Sequence, residues 1–172
     1  KQIWQKISAR STSNRSATEG KYLRDSSSAA HLNEGTVHIG GRSLSYLQVG
    51  DPNGPLVLHN HGGPSSRLEA KVFASHAFNL GLRFVCVDRP GQGKSDPQHD
   101  RTFASWAADL EAIANAFEID RFAVTGWSEG GPWALAAAAY IDPAKLIHVT
   151  SIAPGSYGAF GTNWAAKYLS SA

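Results

Sequence analysis

The order of the predicted elements indicates an α/β protein with a mostly parallel sheet and helices on both faces. From Leu56 onward, short apolar runs of strand type alternate with segments of helical spacing, in the order βαβαβαβ. The strand that begins at Arg121 turns sharply through residues 126–130 into an alanine-rich helix. Because such alternation requires right-handed crossovers, we expect parallel strands whose carboxyl ends meet at one edge of the sheet.

The composition fits one globular domain. The chain has 172 residues, of which 42% are hydrophobic and 17% are charged, which is enough for a sizeable core. A net charge of +2 is too small to favour nucleic-acid binding. No apolar stretch has the length of a membrane span. Cys86, the single cysteine, lies in an apolar run and is predicted to be a buried, inert thiol.

Residues 1–30 differ from the rest of the chain. They scatter six basic side chains among serines, with only Glu19 and Asp25 of opposite charge. We interpret this segment as a flexible amino-terminal extension, with a targeting sequence as the alternative, and otherwise expect a cytoplasmic protein. The sequence contains no methionine, so it is not expected to begin at an encoded initiator.

Residues 31–156 are predicted to form the folded core. Two strands, 36–39 and 44–49, are joined by a turn at Gly40 and Gly41. The predicted elements that follow are strand 56–60, helix 65–80, strand 82–87, helix 104–117, strand 121–125, helix 131–141 and strand 146–152. Ser65 or Ser66 is available to cap the first helix, and Gly81 to end it.

The turn Gly126-Trp127-Ser128-Glu129-Gly130 carries the chemistry. A serine at the apex of a strand–turn–helix projects its hydroxyl over the helix amino terminus, where free N–H groups suit a developing oxyanion. The two glycines allow strand and helix to approach closely. We predict that Ser128 is a nucleophile with a positive φ angle. The alternative is an ordinary Gly/Ser turn.

Two further loops leave predicted strand ends. His61-Gly62-Gly63-Pro64 follows strand 56–60, and its glycine N–H groups are open to a ligand. The other loop begins at Asp88 and contains Gly-Lys-Ser, but it lacks the leading glycine of a phosphate-binding P-loop. We therefore expect Asp88 and Arg89 to fix loops by hydrogen bonds.

Together the three segments resemble the α/β-hydrolase superfamily. The His-Gly-Gly-Pro run is similar to its oxyanion loop, Asp-Arg-Pro-Gly-x-Gly-x-Ser to the next strand-end loop, and Gly-Trp-Ser-x-Gly-Gly to its nucleophile elbow. The resemblance covers about residues 36–156. It implies Ser128 as the nucleophile and the N–H groups of Gly63 and Glu129 as the oxyanion hole. The supporting residues are His61, Gly62, Gly126 and Gly130.

The family pattern also requires a histidine and a carboxylate after the serine. His148 is the histidine that follows Ser128, and we expect it to be a satisfied, partly buried strand residue. Asp142 is the acid that follows Glu129, and it lies in an Asp-Pro turn at a helix end. We therefore expect the catalytic acid and base on a missing carboxyl-terminal part, so that the hydrolase fold is incomplete in this chain.

The missing part leads to an expected partner. Residues 157–172 contain four aromatic side chains and are predicted to begin a cap region. A sheet that ended at Ile152 would leave an unpaired, partly apolar edge. We expect a second polypeptide to supply the remaining strands and a histidine. The chain alone is expected to be poorly soluble and inactive.

The sequence thus predicts a serine hydrolase that forms an acyl-enzyme at Ser128. The expected substrate is a small ester or related acyl compound, and neither a metal nor an organic cofactor is expected. In the family that the chain resembles, the cap normally sets substrate choice. One alternative is a proline iminopeptidase-like peptidase, since such members also carry His-Gly-Gly-Pro. Another is a non-catalytic binding protein on a hydrolase scaffold, which the missing base would favour.

Overall fold

The computed structural model describes residues 32–154. They form one six-stranded sheet with the strand order β1-β2-β4-β3-β5-β6. In chain order the strands are β1 (Asn33–Ile39), β2 (Arg42–Gly50), β3 (Leu56–Asn60), β4 (Arg83–Val87), β5 (Phe122–Trp127) and β6 (Leu146–Ile152). The α-helices are α1 (Ala70–Asn79), α2 (Phe103–Ala116) and α3 (Gly130–Tyr140). The predicted extension 1–30 and the predicted cap segment 157–172 lie outside the described residues.

Pairing within the sheet is mixed but mostly parallel, as predicted. β1 and β2 form an antiparallel hairpin, and β2 also pairs antiparallel with β4. The pairs β3·β4, β3·β5 and β5·β6 are parallel. Gly40 and Gly41 close the hairpin with φ angles of 56° and 78°. Two consecutive positive angles are typical of a tight hairpin turn, so the sequence-based prediction of this turn is confirmed.

A hydrophobic core covers each face of the sheet. On one face α1 packs against Val57, Phe84 and Cys86. On the other face α2 and α3 cover Leu58, Val85 and neighbouring side chains, around the fully buried Trp106. Burial raises the pKa of the Cys86 thiol, in agreement with an inert cysteine. None of the helices within residues 32–154 has the length and apolarity needed to cross a membrane.

The largest difference between the predicted and observed helix boundaries is at the first helix. The segment predicted as one helix over residues 65–80 begins with a 3-10 turn, Arg67–Glu69, and only then becomes α1. Ser66 caps the 3-10 turn by accepting the Leu68 N–H at 3.3 Å. Glu69, at the end of the 3-10 turn, accepts the N–H of Gly62 in the preceding loop. The predicted stop is confirmed, because Gly81 has a φ angle of 62° directly after the helix.

Candidate functional site

Ser128 lies at the apex of a sharp turn between β5 and α3. Its φ angle is 52°, which confirms the positive angle predicted from the sequence. The Ser128 N–H donates to the Ile152 carbonyl at 2.9 Å, and the Ser128 carbonyl accepts from the Gly131 N–H at 2.9 Å. A non-glycine residue in this region costs about 1–3 kcal/mol, so the surrounding structure must hold it there.

The glycines on either side of Ser128 are required by packing. A Cβ atom added to Gly126 would overlap the Gly130 carbonyl, and one added to Gly130 would overlap the Asn60 carbonyl. The amino terminus of α3 therefore rests directly on the carboxyl end of β3. This contact confirms the close approach of strand and helix that the sequence predicted.

The loop after β3 lies beside the serine turn. A Cβ atom on Gly62 would lie 3.5 Å from the Ser128 Cβ, and one on Gly63 would overlap the Glu129 carboxylate. The Gly62 N–H donates to both oxygens of Glu69 at 3.2 Å. The N–H groups of Gly63 and Glu129 donate to no acceptor within residues 32–154. These are the two N–H groups that the sequence predicted as oxyanion donors.

Glu69 anchors this loop, and the sequence analysis did not identify it. Besides the Gly62 N–H, one Glu69 oxygen accepts from Nε2 of the buried His59 at 2.8 Å. Nδ1 of His59 lies 2.8 Å from the Thr125 hydroxyl of β5. Burial opposes ionisation of Glu69, but the hydrogen bonds to its carboxylate outweigh burial and lower its pKa. Glu69 is thus a carboxylate at neutral pH and ties the loop to the sheet.

His61, the first residue of this loop, is fully buried. Its Nδ1 donates to the Gly62 carbonyl at 2.8 Å, whereas Nε2 has no hydrogen-bond partner among residues 32–154. Burial and the nearby Arg89 guanidinium lower the pKa of His61 to about 4. The imidazole is therefore neutral at physiological pH. Its hydrogen bond is made within the loop, and the supporting role of His61 stays a prediction.

The loop after β4 is held by the buried Asp88. The Asp88 carboxylate accepts from the Arg67 N–H at 2.5 Å, from Nη1 of Arg67 at 2.8 Å and from the Lys94 N–H at 2.9 Å. Next to it, Nη1 of Arg89 donates to the His61 carbonyl. The sequence-based expectation that Asp88 and Arg89 fix loops is confirmed.

Neither His148 nor Asp142 lies near the serine turn. His148 of β6 pairs with Ala123 of β5. Its backbone therefore lies roughly 13 Å along the strands from Trp127, the last residue of β5. The side chain of His148 is exposed, so the expectation of a partly buried histidine was wrong. Val149 packs into the core on the α3 face, so its neighbour His148 points to the opposite face, where α1 packs mainly on β2 and β4. Asp142 caps its own turn by accepting the Ala144 N–H at 2.8 Å.

The strand–turn–helix around Ser128, together with the mixed sheet and its helices, defines an α/β-hydrolase architecture. The family model described as "alpha/beta hydrolase fold" matches residues 55–170. The chain belongs to this family.

Three comparisons give the range of similarity. A proline iminopeptidase from Xanthomonas citri is 34% identical over 119 residues, which are 67% of this chain and 37% of the relative. A non-heme chloroperoxidase from Streptomyces lividans is 30% identical over 122 residues, 66% of this chain and 43% of the relative. A CIB-like hydrolase structure from Thermoplasma acidophilum has a TM-score of 0.64 at 19% identity, covering 75% of this chain and 66% of that one. The chain spans well under half of the length of these two sequence relatives.

Proposed function

We propose that the protein is a serine hydrolase that acts through an acyl-enzyme at Ser128, on an ester or a related acyl substrate. The observation that carries this proposal is the φ angle of 52° at Ser128, on a turn that faces the Gly62–Gly63 loop. The positive φ angle falls on the serine of a strand–turn–helix whose two flanking glycines are required by packing, which is the arrangement of a nucleophile elbow. Membership of the α/β-hydrolase family also supports Ser128 as the nucleophile.

In the proposed reaction, Ser128 Oγ attacks the acyl carbonyl carbon and a general base takes the hydroxyl proton. The N–H groups of Gly63 and Glu129 stabilise the negative oxygen of the tetrahedral intermediate. Collapse of the intermediate expels the alcohol or amine, which receives the proton. Water then attacks the acyl-enzyme by the same steps and frees Ser128. The partial positive charge at the amino terminus of α3 favours both intermediates.

We also propose that the acid and base lie outside residues 32–154. His61 is buried and bonded to its own loop, and His148 is far from the turn. The remaining groups would come from further polypeptide, either the same gene product or a second chain, that adds strands beside β6. Ile147 and Ile152 of β6 are exposed by 46% and 44%, which provides apolar area for such an addition.

A narrower candidate is a proline iminopeptidase-like peptidase. Its support is the 34% identity to the Xanthomonas citri proline iminopeptidase and the His-Gly-Gly-Pro loop. Hydrolysis of proline p-nitroanilide by the complete protein, compared with hydrolysis of p-nitrophenyl acetate, distinguishes the two candidates. A clear preference for the anilide supports the peptidase. A preference for the ester supports a general serine hydrolase.

The test of the nucleophile is covalent labelling of the complete protein with a fluorophosphonate probe. We expect one labelled serine, identified by peptide mass spectrometry as Ser128, and no labelling in Ser128→Ala. Ser75→Ala, an exposed serine of α1, is the matched control and should label like the parent protein. Labelling that persists in Ser128→Ala, or a parent protein that neither labels nor hydrolyses esters, would overturn the proposal and favour a non-catalytic binding protein.

A further inference from the structure

Arg89 is a buried cation with unused hydrogen-bonding capacity. Its side chain is fully buried, and Nη1 donates to the His61 carbonyl. Nε and Nη2 have no hydrogen-bond partner within residues 32–154. Burying a guanidinium with a single acceptor is costly, and burial accordingly lowers the pKa of Arg89. The Nε and Nη2 atoms form the edge that binds a carboxylate by two parallel hydrogen bonds.

A carboxylate lies just beyond reach of this edge. Glu129 Oε1 is 3.9 Å from Nη2 of Arg89, and the Glu129 side chain is 41% exposed. The Glu129 carboxylate stands against Gly63, because a Cβ atom there would overlap Oε2. It therefore lies directly beside Gly63, the residue that carries one of the two candidate oxyanion donors. The two groups form an ion pair without a hydrogen bond, and a shift of about 1 Å would bring them to hydrogen-bonding distance.

The position of Arg89 connects both sides of the candidate oxyanion hole. Through the His61 carbonyl it holds the loop that carries Gly63, and through the Glu129 carboxylate it faces the residue whose N–H is the other donor. Asp88 fixes the backbone next to Arg89 by three hydrogen bonds, so the guanidinium projects from a rigid base. One side chain thus spans two loops that leave different strands.

From this geometry we infer that Arg89 is a positioning residue, which sets the separation of the Gly63 and Glu129 N–H groups by binding the His61 carbonyl and the Glu129 carboxylate together. The inference rests on the proposed serine-hydrolase function. When an acyl group excludes water from the site, the Glu129 carboxylate closes onto Nε and Nη2 of Arg89. This movement clears the space beside Gly63 and holds Glu129, whose N–H is the other candidate donor, in a fixed position.

The inference predicts effects on the transition state with little effect on substrate binding. In Arg89→Lys the ammonium keeps the charge but cannot hold two acceptors in fixed directions. We expect kcat for p-nitrophenyl acetate to fall about 10- to 100-fold with KM nearly unchanged, since a displaced oxyanion donor costs that much. Glu129→Gln should lower kcat about tenfold in the same manner. Arg83→Lys is the matched control, because Arg83 lies at the opposite end of β4 and donates to the Gln48 side chain instead, and it should retain the parent kcat.

A double variant tests the connection itself. Because both residues act through one contact, Arg89→Lys combined with Glu129→Gln should lose little more than Arg89→Lys alone. Losses that multiply, or a rise in KM without a fall in kcat, would overturn the inference. If Arg89→Lys does not fold, the kcat of Glu129→Gln tests the inference instead. The Glu129 side chain is partly exposed and makes no hydrogen bond within residues 32–154, so this variant should fold. Failure of the parent protein to react with the fluorophosphonate would instead overturn the proposed function.

Discussion

The buried His61 makes the stability of the protein dependent on pH in a defined window. In the unfolded chain His61 takes up a proton as the pH falls through 6.5, whereas in the folded protein its pKa is about 4. Between these values the unfolded state binds one proton more than the folded state. The free energy of unfolding therefore decreases as the pH falls from about 6.5 to about 4, and this group contributes no further loss below that.

The size of this effect follows from the two pKa values. At about 1.36 kcal/mol for each pH unit, a decrease from 6.5 to about 4 corresponds to about 3 kcal/mol. His61→Asn removes the titration but keeps a side-chain N–H that can donate to the Gly62 carbonyl. We expect the difference in unfolding free energy between parent and variant to shrink by about 3 kcal/mol between pH 7 and pH 4. Carboxylates that titrate in both proteins cancel in this difference.

The assay is urea unfolding of the complete protein at a series of pH values, parent beside variant. A difference that stays constant to within about 0.5 kcal/mol across the range would refute the reasoning. If the variant does not fold, NMR of the imidazole nitrogens in the parent protein gives the same information. At pH 5.5 the ring should be neutral, with the proton on Nδ1. A doubly protonated ring at that pH would show that burial does not exclude the charge.

Two further predictions concern the packing beneath the serine turn. Gly130→Ala should destabilise the protein by about 3 kcal/mol or more, because the new Cβ meets the Asn60 carbonyl, which cannot move without shifting β3. Leu135→Ala, on the exposed side of the same helix, should reduce the stability much less. Equal losses of stability for the two variants in thermal unfolding would contradict this account. Trp106→Phe should destabilise the protein by about 1–3 kcal/mol more than the loss of buried apolar area alone. The indole N–H donates to the Asn60 side-chain oxygen at 2.6 Å, and the variant leaves that oxygen without its donor. Trp133→Phe, which is only partly buried, serves as the control in denaturant unfolding, and a loss as large as that of Trp106→Phe would argue against the hydrogen bond.

Local sequence patterns were sufficient to predict most of the fold. Strands 56–60 and 146–152 coincide with β3 and β6, and the helix predicted over 104–117 is α2 shifted by one residue. Each pattern depends on residues that are neighbours in the chain, such as the Thr102 and Ser105 pair that caps α2 by mutual hydrogen bonds. The positive φ angle at Ser128 is of the same kind, because flanking glycines and the strand-to-helix change are readable locally.

The sequence could not identify residues whose role depends on distant contacts. Glu69 comes seven positions after Gly62, and nothing in that spacing indicates that its carboxylate folds back onto the Gly62 N–H and His59. A carboxylate at the start of a helix is ordinarily explained by the helix dipole alone. The exposure of His148 has a similar cause, since burial of a strand histidine depends on which elements cover the strand. Both outcomes are determined by tertiary packing.

The strand order explains why the candidate site forms where it does. From β3 the chain crosses through α1 to β4 on one side, and from β4 it returns through α2 past β3 to β5 on the other. As a result α1 and α3, which follow β3 and β5, lie on opposite faces of the sheet. The loops that lead to them diverge and leave a crevice at the carboxyl ends of the two adjacent strands, as open α/β sheets do at a reversal of winding. Gly63 and Ser128 border this crevice, so any group that completes the site must reach it between these two loops.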